Sequence, residues 1–488
     1  MVTSSSLRSR TIVGVVWNFV EQLLRRGVST LTTLILAWFL VPEDYGLVAM
    51  ISVFLAFSSV IVDAGLKQAL IRKLEVTQLE YSTAFYANVS LGIVLYSVLY
   101  FIAPLIADFY NQPVLIDLVR VSGITVFINS LSMVQETILH RDLNFKVQLR
   151  VSLPAAIISG FVAILLAYEG YGVWALVVQV LLSSVLVCIF YWLLNIWRPT
   201  FEYSWFCFNE LLKFGGYILV AQMINIPYRN MYVIVLAKFF SPSVAGGYFF
   251  AEKIKTLLLS QLVDSINNVT YPALAQIQDD NKKLKEGYRR VISVTTFLFF
   301  PCVSFLAALA EPLFLIFLPA EWYDSIQYLQ LMCVAALLYP LHSFNLNILK
   351  IKGRPDLVLY LGLFKKTIAI IIFVIALRYG VVGILVGQII NSVVSYFPNM
   401  YFSNKLINYS FKEQMQDALP SLFLSLFLGL AIYAATLMLH WRLEIELVVF
   451  SLLGLTFYLF GSYVLKIKGY SLAIQIVGNK LTQSDGRL

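Results

Sequence analysis

Charge is scarce in this chain. Only 13% of its 488 residues are Asp, Glu, Lys or Arg, whereas 60% are hydrophobic, far from the usage of a soluble domain. Cysteine is scarcer still. Cys188, Cys207, Cys302 and Cys333 are widely spaced, which fits neither a disulfide framework nor a thiolate metal motif. The three histidines lie far apart and argue against a zinc site. Long hydrophilic connections are missing as well: the longest fall near 196–214 and 272–288. They leave no room for an extramembrane catalytic or nucleotide-binding domain, and there is neither a Walker A loop nor an H-E-x-x-H motif. No cofactor and no metal are therefore expected.

What the chain has instead is apolar runs. Crossing roughly 30 Å of hydrocarbon takes about 20 mostly apolar residues. Fourteen runs qualify, near 12–40, 45–66, 83–107, 114–139, 151–168, 173–195, 215–240, 245–271, 289–310, 325–349, 357–377, 380–403, 418–439 and 446–465. The expected fold is all-α and polytopic, with about 14 transmembrane helices. The first run follows Arg8 and Arg10 as a signal peptide would, but it continues past Arg25 and Arg26 without a small-residue cleavage site. It is expected to be a retained first helix.

The sparse charges set an orientation. With the N-terminus inside, 24 of the 35 basic residues fall in the inside segments, among them Lys67, Arg72, Lys73, Arg141, Arg150, Lys283, Arg289 and Lys352. Three fall outside (Lys238, Arg378, Arg442) and eight within spans. Basic residues stay on the cytoplasmic side, so both termini are expected in the cytoplasm of a bacterial inner-membrane protein. The net charge of +8 then reflects this topology beside anionic membrane lipids rather than a nucleic-acid partner.

Two stretches match without gaps at an offset of 200. Leu36-Ala37-Trp38-Phe39-Leu40-Val41-Pro42-Glu43-Asp44-Tyr45-Gly46 aligns with Leu236-Ala237-Lys238-Phe239-Phe240-Ser241-Pro242-Ser243-Val244-Ala245-Gly246. Leu, Ala, Phe, Pro and Gly recur at the same places. Each stretch ends one span and begins the next, where a helix must stop and the chain must turn. The offset equals six spans, an even number, so the repeats are parallel and their axis is expected along the membrane normal. Residues 1–200 would form an N-lobe of spans 1–6 and residues 201–410 a C-lobe of spans 7–12. Residues 411–488 would add spans 13–14 and a cytoplasmic tail.

Charges inside the hydrocarbon cost about 2.5–3.5 kcal/mol each on insertion scales and normally face a bundle interior or a wet cavity. Span 1 carries Glu21, Arg25 and Arg26, span 7 carries Arg229, and span 8 carries Glu252, Lys253 and Lys255. Glu21 and Arg25 stand at i and i+4 and can pair; Arg26 is turned by about 100° and needs another partner. Five bases against two acids leave +3. A cavity so charged suits an anionic ligand, and Arg can grip phosphate oxygens with two bonds. Arg25, Arg26, Arg229, Lys253 and Lys255 are thus the candidate substrate-binding residues. The alternative is a set of ion pairs that lock helices together. Pro227, two residues before Arg229, can kink span 7. Glu21, Asp63, Glu252 and Asp264 are candidates for pairing or for coupling to H+ or Na+, and Glu136 is similar.

Asp44-Tyr45-Gly46-Leu47-Val48-Ala49-Met50, Asp63-Ala64-Gly65-Leu66 and Ala69-Leu70-Ile71-Arg72 resemble the N-terminal signature of Wzx-type oligosaccharide flippases. These are polysaccharide transporters of the MOP superfamily, which includes the MATE drug exporters, and the resemblance is greatest to the colanic-acid-exporter-like branch. It extends over the whole chain in length, span number and lobe order. It implies an undecaprenyl-diphosphate-linked oligosaccharide as cargo, carried from the cytoplasmic to the periplasmic leaflet through a cationic central cavity by alternating access. It also implies polysaccharide polymerase and glycosyltransferases as candidate partners, and no catalytic residues. Competing readings are a lipid II or drug exporter of the same superfamily, a membrane enzyme of polysaccharide synthesis, and a scaffold for a synthesis complex.

Overall fold

The computed structural model describes residues 17, 21, 22, 24, 25 and 27–475, except 196 and 440. Among them there are helices, turns and no strand. With no water in the hydrocarbon, each backbone N–H must find its carbonyl within its own segment, and a helix does that.

The first uninterrupted described helix is α1 (Gly27–Leu36), followed by α2 (Pro42–Asp63), α3 (Leu66–Arg72), α4 (Gln78–Tyr110), α5 (Leu115–Arg141), α6 (Phe145–Tyr168), α7 (Val173–Leu194), α8 (Trp205–Phe239) and α9 (Pro242–Ala275). It continues through α10 (Asn281–Ala308), α11 (Ala310–Phe317), α12 (Asp324–Ala336), α13 (Tyr339–Ile351), α14 (Pro355–Ala376), α15 (Gly380–Ile407), α16 (Phe411–Leu439) and α17 (Leu443–Val464). Among the described residues ten helical stretches are long and apolar enough to cross a membrane, so the protein is a multi-pass membrane protein.

The helices do not map one-to-one onto fourteen expected crossings. The run expected over 325–349 is broken into α12 and α13 at residues 337–338, and α3 is a seven-residue helix too short to cross. In the other direction, α14 and α15 join through a single 3-10 turn into one stretch of 53 residues. The helices α8 and α9, 35 and 34 residues long, are outside the ten apolar stretches. Their interiors hold Arg229, Glu252, Lys253 and Lys255, which dilute the hydropathy.

Local sequence explains where helices start. Pro42 opens α2 at a position whose N–H would be unbonded in any case, and Asp44 Oδ2 accepts from the Val41 N–H at 3.2 Å. Thr77 and Glu80 form a reciprocal capping box on α4. Asp280 caps α10 by accepting from the N–H groups of Lys282 and Lys283.

Two compact units divide the chain, residues 1–249 and 250–488. In the first, α8 packs on α2, α3 and α4. Its core there holds Leu66, Leu70, Ala84, Val134 and Leu211. Helices in lipid gain no hydrophobic drive toward one another and rely on close packing of small residues. The α2–α3 turn illustrates this: a Cβ on Gly65 would lie 2.3 Å from the Gly215 carbonyl oxygen of α8. In the second unit α10 packs on α16, α12 and α13, while α15 packs on α12, α13 and α14.

Candidate functional site

In the first unit, Glu21 and Arg25 form the pair their spacing predicts. Arg25 Nε donates to Glu21 Oε1 at 2.7 Å, and Ser152 Oγ of α6 donates to the same oxygen at 2.9 Å. The Glu21 carboxylate is buried whereas the Arg25 side chain is 47% exposed. Arg26 lies outside the described residues.

Arg229 sits on α8, exposed, and has no ion-pair or hydrogen-bond partner among the described residues. The helix runs through Pro227 without a break. The loss of one backbone donor is absorbed inside the helix, so Pro227 does not divide the span. Asn230 Nδ2, one residue beyond Arg229, turns back to the Ile226 carbonyl at 2.9 Å.

In the second unit, Lys255 Nζ is 2.6 Å from Glu252 Oε2, one turn back on α9. Thr256 Oγ1 donates to the other oxygen of that carboxylate. Lys253 is half-buried and Asp264 exposed. Arg25 and Lys255 are thus each paired with an acid one helical turn away.

Asp63 has a local structural task. It ends α2, and its Oδ1 accepts from the Lys67 N–H at 3.1 Å, satisfying one of the open donors of α3. The Lys67 ammonium reaches Glu136 on α5 at 2.9 Å, and His140 Nε2 lies 3.4 Å from the same carboxylate oxygen.

Sequence reasoning centred on charges missed two further arrangements. The first is near the start of α8. Lys73 bridges Glu80 at the start of α4 and Glu210 on α8, the latter at 2.9 Å. Partial burial pulls the Lys73 pKa down, but hydrogen bonds to both carboxylates and their charges outweigh it, and the net shift is upward. The second is a polar chain in the second unit. Gln414 Oε1 accepts from Asn345 Nδ2 at 3.0 Å and from Tyr396 OH at 2.7 Å, and its amide donates to Ser403 Oγ and the Tyr409 carbonyl. Asn399 accepts from Lys365 Nζ and lies 3.2 Å from His342 Nδ1. Carboxamides inside apolar runs, Asn345 and Asn399, were the available signal, because an amide in lipid without partners is costly.

Residues 35–327 match the model of a family described as polysaccharide biosynthesis protein. The chain belongs to that family. Within this polysaccharide biosynthesis family, it is similar to the lipopolysaccharide biosynthesis protein WzxC of Escherichia coli, with 27% identity over 80% of this chain and 81% of WzxC. It is also similar to the succinoglycan biosynthesis transport protein ExoT of Rhizobium meliloti, at 24% identity over 63% and 62% of the two chains. Among solved structures it resembles the lipid II flippase MurJ in an inward closed conformation. The TM-score is 0.74 at 16% identity, over 93% of this chain and 98% of that one. At that identity the likeness speaks for the fold alone: this family member has a MurJ-like fold.

Proposed function

We propose that the protein is a flippase that carries an undecaprenyl-diphosphate-linked oligosaccharide from the cytoplasmic to the periplasmic leaflet by alternating access, for surface-polysaccharide biosynthesis. It performs no bond chemistry. The observation that carries the reading is the family match over 35–327, and the transporter fold is consistent with it. The positive charge on Arg229, left without a partner among the described residues, supports an anionic cargo. In this reading Arg25, Arg26, Arg229, Lys253 and Lys255 supply the charge that binds the diphosphate, with Arg229 the main contact. A planar guanidinium can take two phosphate oxygens at once.

The topology belongs to the same proposal: an inner-membrane protein of fourteen spans with both termini cytoplasmic, an N-lobe over 1–200, a C-lobe over 201–410 and two further spans over 411–488. Asp63 and Glu252 are occupied by helix capping and by Lys255, so any coupling to H+ or Na+ has to compete with those bonds. Reconstitution tests the reading. Purified protein in vesicles should move a radiolabelled lipid-linked oligosaccharide to the outer leaflet faster than protein-free vesicles. Movement of lipid II or of a cationic drug in place of the oligosaccharide would assign it to another branch of the superfamily.

A further inference from the structure

We infer that one end of the second unit carries a saccharide-binding site that prefers neutral sugars, N-acetylated ones included, over acidic ones. The inference rests on the reading of the chain as a carrier of sugar-bearing cargo.

A cavity of about 610 Å³ opens there, lined by Glu311 of α11, Tyr323, Asp324, Gln327 and Gln330 around the start of α12, and Tyr379 in the turn between α14 and α15. That volume is in the range of small-ligand sites, roughly 300–1,000 Å³. Both tyrosines are presented outward, Tyr323 at 39% and Tyr379 at 74% exposure. Tyr323 stands on a packed base. Trp322, next to Tyr323, is fully buried with its ring 4.4 Å from that of Phe250, and Phe250 in turn meets Phe314 edge-on.

The polar groups match hydroxyls. Neither Glu311, Asp324 nor Gln327 has an ion-pair or hydrogen-bond partner among the described residues, and no Lys or Arg lines the cavity. Gln330 gives one N–H to the Ala307 carbonyl at 3.3 Å, which leaves its amide oxygen to accept. Carboxylates only accept, whereas carboxamides both donate and accept. Vicinal sugar hydroxyls use both, and the apolar C–H face of a sugar ring stacks on tyrosine. An organic cation could use the carboxylates and the rings, but it would leave the amides of Gln327 and Gln330 unmatched. Two uncompensated carboxylates repel uronic acids and phosphates. Nor do two carboxylates make a metal site: among the described residues no group of three or more His, Cys, Asp or Glu is placed to hold an ion. In the proposed topology both turns face the periplasm, where the flipped glycan emerges.

The test is saturation-transfer NMR on the full chain in lipid nanodiscs. The probes are N-acetylglucosamine, galactose, glucuronate and tetraphenylphosphonium. Transfer to the ring protons of the two neutral sugars is expected, with a weaker signal for glucuronate. Tyr379→Ala should weaken binding about tenfold, the usual cost of deleting an aromatic anchor, whereas Tyr379→Phe should retain it. No transfer to either neutral sugar, transfer unaffected by Tyr379→Ala, or transfer to the phosphonium alone would each overturn the inference. Wild-type flipping of lipid-linked oligosaccharide is measured in parallel. Flipping without sugar binding overturns the inference alone; sugar binding without flipping overturns the flippase reading alone.

Discussion

Gly46 and Gly246 each lie against the carbonyl of the proline that opens the other's helix. A Cβ on Gly46 would stand 1.9 Å from the Pro242 oxygen, and one on Gly246 would stand 1.7 Å from the Pro42 oxygen. The two stretches that match in sequence at an offset of 200 are thus in reciprocal contact, as a local two-fold relation requires. Pro42 and Pro242 start the helices; four residues later each glycine admits the opposing backbone.

Gly46→Ala and Gly246→Ala should both lower stability, by about 1–3 kcal/mol for overpacking against rigid backbone. The helical preference for alanine over glycine works the other way by about 1 kcal/mol. The control is Gly216→Ala on α8, which meets nothing within 4 Å and should be neutral or stabilising. Thermal unfolding of the detergent-solubilised variants measures the difference; equal midpoints for all three would show that the contact is loose.

Arg229→Ala should abolish polysaccharide export at normal protein abundance, because no described side chain loses a partner with it. Arg229→Lys should restore only part of the export, since Lys keeps the charge but not the planar fork. Export rates and immunoblots on the same cells separate these outcomes. Full export by Arg229→Ala at normal abundance removes this residue from the cargo site.

Arg25→Ala should behave differently. It leaves the buried Glu21 carboxylate with Ser152 as its remaining described partner. Breaking a fully buried pair costs about 3–5 kcal/mol, and the half-exposed guanidinium places this case well below that range. Abundance should fall, and the double variant Glu21→Gln with Arg25→Ala should recover it. If abundance is restored but export is not, Arg25 acts on cargo as well as on the helix.

Gln414→Leu should destabilise the second unit by about 1–3 kcal/mol, because Asn345 and Tyr396 both lose a buried partner. Asn345→Leu, which removes one bond instead of several, should cost less. The order of the two unfolding midpoints is the measurement, and the reverse order would mean that Gln414 is not the hub.

Reporter fusions after Asp44, Asp108 and Asp324 should report periplasm, and fusions after Arg150 and Lys283 cytoplasm. A periplasmic signal at Lys283 would break the proposed topology and the lobe repeat together.

Much of the architecture was legible in the sequence, for reasons that lie along one strand of chain. Lack of charge and about 20-residue apolar runs are one-dimensional quantities, and hydrocarbon leaves a helix as the available answer. The pairing of Glu21 with Arg25 follows from one helical turn. So do the starts of α2 and α9, where Pro42 and Pro242 prescribe the break.

Other decisions needed the third dimension. Asp63 reads as a buried acid in sequence, but in space it caps α3, because the chain turns left-handed at Ala64 and Gly65 and brings the Lys67 N–H to it. Lys73 reads as one of many inside charges, yet it joins α4 to α8 through Glu80 and Glu210. Gln414 and Asn345 carry no charge and left no trace in a charge count, although together they organise α13, α15 and α16. By itself the sequence determined the helical membrane class, the spacing of same-helix ion pairs and the sum of intramembrane charge. Tertiary structure decided which of those charges are spent on partners, and it brought Gly46 and Gly246 into contact, because neutralisation and close approach depend on residues far apart along the chain.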